Sequence, residues 1–230
     1  MIKIKKLIKV AKVFSITGRY LKYAGTLGSD VINLKSRWAF EIINHFKINI
    51  QIIGNPVSQN IPCLLVGNHI SYLDMPILLA SCPAISFVSK KEVKSWPIIG
   101  NAAMKAQTIF VERNKATSRT AAKAAITKSL LQTNQKVVIF PSGTTSIRTS
   151  SFWKKGAFEI AEKNDIYVQP FRIRYNPLST VAYVGRDNFL LHMYQLFKLK
   201  QIDVSLEFHE PIMIKDSIAD CSYWKKWCEE

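Results

Sequence analysis

The feature that most constrains this chain is a rhythm of short apolar or β-branched runs: Ile48 to Ile53, Cys63 to Val66, Ile85 to Val88, Thr108 to Val111, Lys136 to Phe140, Ile166 to Ile173 and Val204 to Phe208. Between most of them lie stretches with helical spacing, and Gly or Pro marks several of the junctions. Runs that stay apolar on successive residues are strands covered on both faces, which is the habit of parallel sheets flanked by helices. The expected fold is therefore α/β, a central, mostly parallel mixed sheet between helices, preceded by an N-terminal amphipathic helical pair. A length of 230 residues with 48% hydrophobic content suffices for one sizeable core. Residues 1–47 are read as the helical pair and 48–230 as the α/β domain.

One of these runs carries chemistry. Leu64, Leu65 and Val66 end at Gly67 and deliver Asn68 and His69 into the loop beyond a strand, where open α/β sheets place their ligand crevices. Asp74 follows five residues later, and Pro76 suits the first turn of a helix, which makes Asp74 a candidate N-cap. Five residues do not share a helical face, so the loop itself must bring the two side chains together. If it does, the carboxylate accepts the proton of one imidazole nitrogen and leaves the other as a base. Taken alone, the same residues read more simply as a hydrogen-bonded loop histidine beside a helix cap.

The charge is one-sided. The chain carries a formal +16 with a pI near 9.8, which demands an anionic partner: nucleic acid, an anionic membrane surface or a phosphorylated substrate. Residues 1–50 hold ten basic residues and only Asp30 and Glu41 as acids, so half the net charge lies in the first fifth of the chain. There Ile4, Leu7, Ile8, Ala11 and Phe14 recur at helical spacing, with Lys5, Lys9, Lys12 and Arg19 on the other side. This is the pattern of a basic helix lying in a membrane interface, or of one packed on its own domain. Lysines interrupt the stretch too often for a span or a signal peptide. A second helix is expected after Gly28, capped by Ser29 or Asp30. Cys63, Cys82, Cys221 and Cys228 show neither zinc-site nor disulfide spacing, which suits a reducing, cytoplasmic setting.

Asn68-His69-x-x-x-x-Asp74 resembles the first signature block of the glycerolipid acyltransferases, the family that includes 1-acylglycerol-3-phosphate acyltransferase. Phe110-Val111-Glu112-Arg113 resembles the second block, Phe140-Pro141-Ser142-Gly143-Thr144-Thr145-Ser146 the third and Val168-Gln169-Pro170-Phe171 the fourth, in the family's order and spacing. The resemblance spans roughly residues 37 to 210. It implies His69 as general base held by Asp74, and Arg113 as the phosphate grip, for which a guanidinium offers two parallel hydrogen bonds. It also implies a third-block loop of Ser142, Gly143, Thr144 and Thr145 that meets an anion, and Lys90 within reach of a substrate or lipid phosphate. Transfer from an acyl-thioester would be direct, with no acyl-enzyme. The family's third block carries Glu and Arg where this chain has Ser142 and Thr145, so the loop loses one charge of each sign. Arg148, Lys154 and Lys155 lie just beyond and could replace the missing cation.

The function these readings imply is acyl transfer from acyl-CoA or acyl-carrier protein to the free hydroxyl of 1-acyl-glycerol-3-phosphate, giving phosphatidic acid. The altered third block keeps another lyso-lipid acceptor, such as lyso-ornithine lipid, as the alternative. No metal or other cofactor is expected, since a His–Asp pair lacks the remaining ligands of a metal site. The expected partners are an anionic membrane surface, a lyso-phospholipid acceptor and the thioester donor, with no nucleic acid. The expected location is peripheral, on the cytoplasmic face of a bacterial inner membrane. A non-catalytic basic membrane- or nucleic-acid-binding protein would account for the charge and leave the four blocks without a reason.

Overall fold

The structure is a computed structural model that describes residues 2–26, 30–58, 61–112, 116–133, 136–147, 152–185 and 187–230. Helices α1 (Ile2–Tyr23) and α2 (Val31–Phe46) come first. Asp30 caps α2, its Oδ1 accepting from the backbone N–H groups of Ile32 and Asn33, and Lys47 closes it in a left-handed conformation that turns the chain into the sheet. The strands are β1 (Ile48–Ile53), β2 (Cys63–Gly67), β3 (Ile85–Lys90), β4 (Ile109–Val111), β5 (Lys136–Ile139), β6 (Tyr167–Asn176) and β7 (Ile202–Phe208). Between them run α3 (Asp74–Ser81), a 3-10 turn (Lys91–Ser95), α4 (Ile99–Lys105), α5 (Ala116–Thr133), α6 (Gly156–Asn164), α7 (Leu178–Val181) and α8 (Phe189–Leu196), with α9 (Ser217–Glu229) last.

Among the described residues the strands form one seven-stranded sheet in the order β1-β7-β6-β2-β5-β3-β4. Every neighbouring pair is parallel except β6 with β7. The expected mostly parallel mixed sheet is thus found. Its consequence for chemistry is geometric: β2, β5, β3 and β4 are adjacent and point the same way. The loop of the first block after β2, the third block after β5, Lys90 at the end of β3 and Glu112 just past β4 therefore lie along one edge of the sheet.

Two apolar layers sandwich the sheet. One includes Ile42, Ile43 and Phe46 of α2 with Leu65, Val138, Ile173 and Leu206; the other includes Leu64, Val137 and Val168 with Phe158 of α6 and Trp224 of α9. Alternate residues of β2 and β5 feed opposite layers, which is why both strands read as unbroken apolar runs. Cys63, Cys82, Cys221 and Cys228 are free and buried, and burial raises their thiols, Cys63 to about 12.

A proline inside a strand suggests an edge, a bulge or a strand end, and Pro170 stands beside a bulge in central β6. Its carbonyl accepts from His209 N–H, and β6 next meets the same segment at Val168 and Ile212, so Glu210 and Pro211 stand opposite Gln169 alone; the His209 carbonyl that an N–H at 170 would have met accepts from Gln169 Nε2 at 2.9 Å. Two local expectations need correction. The stretch around Pro97 to Gly100 is the entry to α4, with Gly100 packed 2.1 Å, measured from where a Cβ would stand, from the Lys94 carbonyl. Helix α1 docks through Val10, Val13, Ile16 and Thr17, while Ile4, Leu7 and Ile8 of the expected apolar stripe remain about 60% exposed. The helix is thus apolar on two sides, and only one meets the protein. Among the described residues, no helix is long and apolar enough to cross a membrane.

Candidate active site

Gly67 closes β2 opposite Phe171 of β6, and a Cβ on it would stand 2.3 Å from the Phe171 carbonyl oxygen. Only glycine permits this approach. Asn68 then extends the pairing with its side chain, donating from Nδ2 to the Ile173 carbonyl and accepting at Oδ1 from the Ile173 N–H, each at 2.8 Å. The turn that follows is thereby fastened to β6 before the histidine is reached.

The loop does fold back. His69 Nδ1 donates to Asp74 Oδ2 at 2.7 Å, and the same oxygen accepts from the backbone N–H groups of Ile70 at 2.8 Å and Ser71 at 3.2 Å. Asp74 is not the helix N-cap that its position suggested. Leu73 occupies that place, and Asp74 is the first helical residue, so its side chain turns back over the loop. The carboxylate accepts every bond it makes and is fully buried, whereas the imidazole keeps 19% of its side chain exposed. Since Nδ1 carries the proton shared with Asp74, the lone pair falls to Nε2, for which no partner exists among the described residues.

Phe140 fixes the ring from behind, stacked on His69 at 4.0 Å between centroids and 12° from parallel. Phe140 is the residue just beyond β5, so the third block begins against the histidine. Gly143 turns the loop at φ 70°, its N–H donating to the Phe140 carbonyl at 2.9 Å. Ser142 Oγ donates to the Thr144 carbonyl at 2.8 Å, and Ser146 N–H donates to the His69 carbonyl at 2.9 Å. The structure thus brings Ser142, Gly143, Thr144 and Thr145 beside His69, with Thr144 exposed and Thr145 half-buried. The Ser142 hydroxyl spends its proton inside the turn.

Lys90 ends β3, exposed, and no described bond ties it to His69 or Asp74. Arg113 and Arg148 lie outside the described residues. Lys155, one suggested replacement for the missing cation, pairs with Glu159 at 3.3 Å; Lys154 is exposed and its N–H donates to the Pro141 carbonyl at 3.1 Å.

Two further contacts escaped the sequence. The Tyr175 hydroxyl donates to Asp74 Oδ1 at 2.7 Å from β6. His192 donates from Nε2 to the Ala182 carbonyl at 3.1 Å and so accepts the Tyr72 hydroxyl at Nδ1, 3.0 Å away, a structural role. Burial lowers the His192 pKa and favours this neutral form. Tyr183 N–H donates to the Ile70 carbonyl at 3.0 Å, so segment 182–192 braces the loop between His69 and Asp74. No signal in the sequence joins these residues; their partners lie 101 and 120 positions away.

A lyso-ornithine lipid O-acyltransferase from Pseudomonas aeruginosa is 31% identical over 197 residues, 80% of this chain and 73% of that protein. A 1-acyl-sn-glycerol-3-phosphate acyltransferase from Neisseria gonorrhoeae is 36% identical over 95 residues, 41% of this chain and 36% of that protein. The crystal structure of the 1-acyl-sn-glycerophosphate (LPA) acyltransferase PlsC from Thermotoga maritima superposes with a TM-score of 0.71 at 18% identity, covering 100% of this chain and 95% of that one, which is a likeness of fold. The profile described as Acyltransferase matches residues 49–174, from β1 through the loop of His69 and Asp74 almost to the end of β6, and the chain belongs to that family.

Proposed function

We propose that the protein transfers a fatty acyl group from an acyl-thioester, acyl-CoA or acyl-carrier protein, to the free hydroxyl of a lyso-lipid, with 1-acyl-glycerol-3-phosphate as acceptor and phosphatidic acid as product. The observation that carries this reading is the His69–Asp74 pair at the strand ends, with the imidazole 19% exposed and its Nε2 without a partner among the described residues. A hydroxyl is a poor nucleophile at neutral pH and a thioester has a good leaving group, so one placed base is enough. His69 Nε2 takes the hydroxyl proton as the oxygen attacks the acyl carbon. Asp74 holds the imidazolium that forms. The tetrahedral intermediate collapses with loss of thiolate, and the proton returns from His69 to the sulfur. No covalent enzyme intermediate is needed, and the buried thiols are poorly suited to form one.

A second acceptor is favoured by a specific observation. The relatives matching 80% of the chain are named for lyso-ornithine lipid, and Ser142 and Thr145 remove the paired charges of the third block. A phosphate acceptor requires a cation, for which Arg113 and Lys90 are the candidates; a headgroup without phosphate does not. Thiol release compared with lysophosphatidic acid and with lyso-ornithine lipid decides between them. Release with lysophosphatidic acid, lost in Arg113→Ala through a raised KM, supports the first reading; release with lyso-ornithine lipid alone moves the function to the second.

The reaction would take place at an anionic membrane surface on the cytoplasmic side. Ile4, Leu7 and Ile8 of α1 and Leu190 and Leu191 of α8 are exposed, and the two helices touch, Lys6 Nζ lying 6.0 Å from the Tyr194 ring centre. Apolar tips among lysines suit an interface where acyl chains and phosphates are both within reach. Binding to vesicles containing anionic phospholipid, lost on replacing Ile4, Leu7 and Ile8 with Ser, tests this.

A further inference from the structure

Strand β6 is longer than the neighbour that delivers His69. It pairs with β2 only from Tyr167 to Phe171, then continues to Asn176 beside β7. The overhang stands beside the His69 loop, to which Asn68 latches it at Ile173. Tyr175, two residues further on the same face, is buried among the α2-side core and directs its hydroxyl at Asp74 Oδ1, 2.7 Å away. The two carboxylate oxygens thus have separate duties: three donors meet Oδ2, and Tyr175 meets Oδ1.

We propose that Tyr175 is a positioning residue for acyl transfer, its hydroxyl anchoring Asp74 Oδ1 so that Oδ2 stays aimed at His69 Nδ1. The inference rests on the acyl-transfer reading of the His69–Asp74 pair. A carboxylate turns easily about its last torsion, and Asp74 has no solvent to satisfy an oxygen left bare. Without the Tyr175 donor, Oδ1 must swing towards one of the donors of Oδ2 or take up a proton. Either response weakens the bond that holds the imidazole. Tyr175 can fill this role at any working pH, since burial and the neighbouring Asp74 charge raise its hydroxyl well above the ordinary phenol range.

A tyrosine that only packed the core would behave differently, and Tyr175→Phe separates the two because it keeps the ring and removes the donor. Thiol release from acyl-CoA is followed for wild type, Y175F, D74A and the double variant with the lyso-lipid that supports turnover, each rate normalised to the folded fraction from circular dichroism. The expected result is a kcat lowered about 10- to 100-fold in Y175F with both KM values within about twofold, and less than about a twofold further change when Y175F is added to D74A, which leaves Tyr175 no carboxylate to position. A Y175F kcat within twofold of wild type overturns the proposal, as does an equal loss in both backgrounds. No thiol release by the wild-type protein with either acceptor overturns the acyl-transfer reading, and the proposal with it.

Discussion

Replacing Asp74 with Asn separates charge from architecture at the centre of the site. Asn keeps the shape of Asp and one acceptor. Its Oδ1 can take the place of Asp74 Oδ2, meeting the N–H groups of Ile70 and Ser71 and His69 Nδ1, while its amide donates to a Tyr175 hydroxyl turned to accept. All four bonds survive, so the fold should lose only about 1–2 kcal/mol from exchanging charge-assisted bonds for neutral ones. Catalysis should lose much more. The imidazolium formed as His69 takes the proton no longer faces an anion, and removing such a partner lowers turnover by up to about 10,000-fold. The expected outcome is a kcat down about 100- to 10,000-fold, substrate KM values little changed, and a thermal unfolding midpoint lowered by only about 2–8 °C. Turnover is read as thiol release, the midpoint by circular dichroism. A folded D74N protein that keeps a tenth or more of wild-type kcat would refute the reasoning and leave Asp74 as a brace for the loop.

Other consequences follow from particular contacts. Lys35 is buried on α2 with its Nζ donating to the Ile85 carbonyl at 2.7 Å, and desolvation lowers its pKa from 10.5 to about 8. The native state therefore bears the cost of the charge below pH 8 and sheds it between about 8 and 10.5, where the unfolded lysine is still protonated; a shift of this size is worth about 3 kcal/mol. Lys35→Met should thus raise stability at pH 7 by about 2 kcal/mol after loss of the carbonyl bond, and urea titrations at pH 7 and pH 10 should show the gain fading with rising pH. Gly67→Ala forces a methyl into the Phe171 carbonyl and ring, so the midpoint should fall by more than about 5 °C and activity with it; an unchanged melt would contradict the close β2–β6 approach. Asn68→Ala leaves the Ile173 N–H and carbonyl without their side-chain partners in the core and should cost about 2–4 kcal/mol in chemical denaturation.

What the sequence could tell and what it could not divides along physical lines. The central strands β2 and β5 were legible because burial on both faces leaves an uninterrupted apolar run, Leu64 to Val66 and Val137 to Ile139. The His69–Asp74 contact was legible because both partners sit in one short loop. Contacts made across the sheet had no local trace. Tyr175 reads as one more aromatic at the end of a strand, and its role depends on how far β6 outruns β2. Pro170 suggested an edge, a bulge or a strand end, and only the pairing across β6 and the 209–212 segment shows that it stands beside a bulge in the interior, where Gln169 Nε2 takes up the His209 carbonyl. In α1 two apolar stripes share one helix, and periodicity cannot say which of them faces the protein. Lys35 counted towards the basic surface by composition, yet its ammonium points inward to the Ile85 carbonyl.

The most direct test of the account is acyl transfer by His69→Ala set beside the wild type, with thiol release and acylated lipid product measured together from one acyl-CoA and the preferred lyso-lipid. The account predicts thiol and product in equal amounts from the wild type, release that depends on the acceptor, and a loss of at least about 100-fold in a folded H69A protein. Near-normal product formation by H69A, or a burst of thiol without acceptor that leaves acyl on the enzyme, would contradict it.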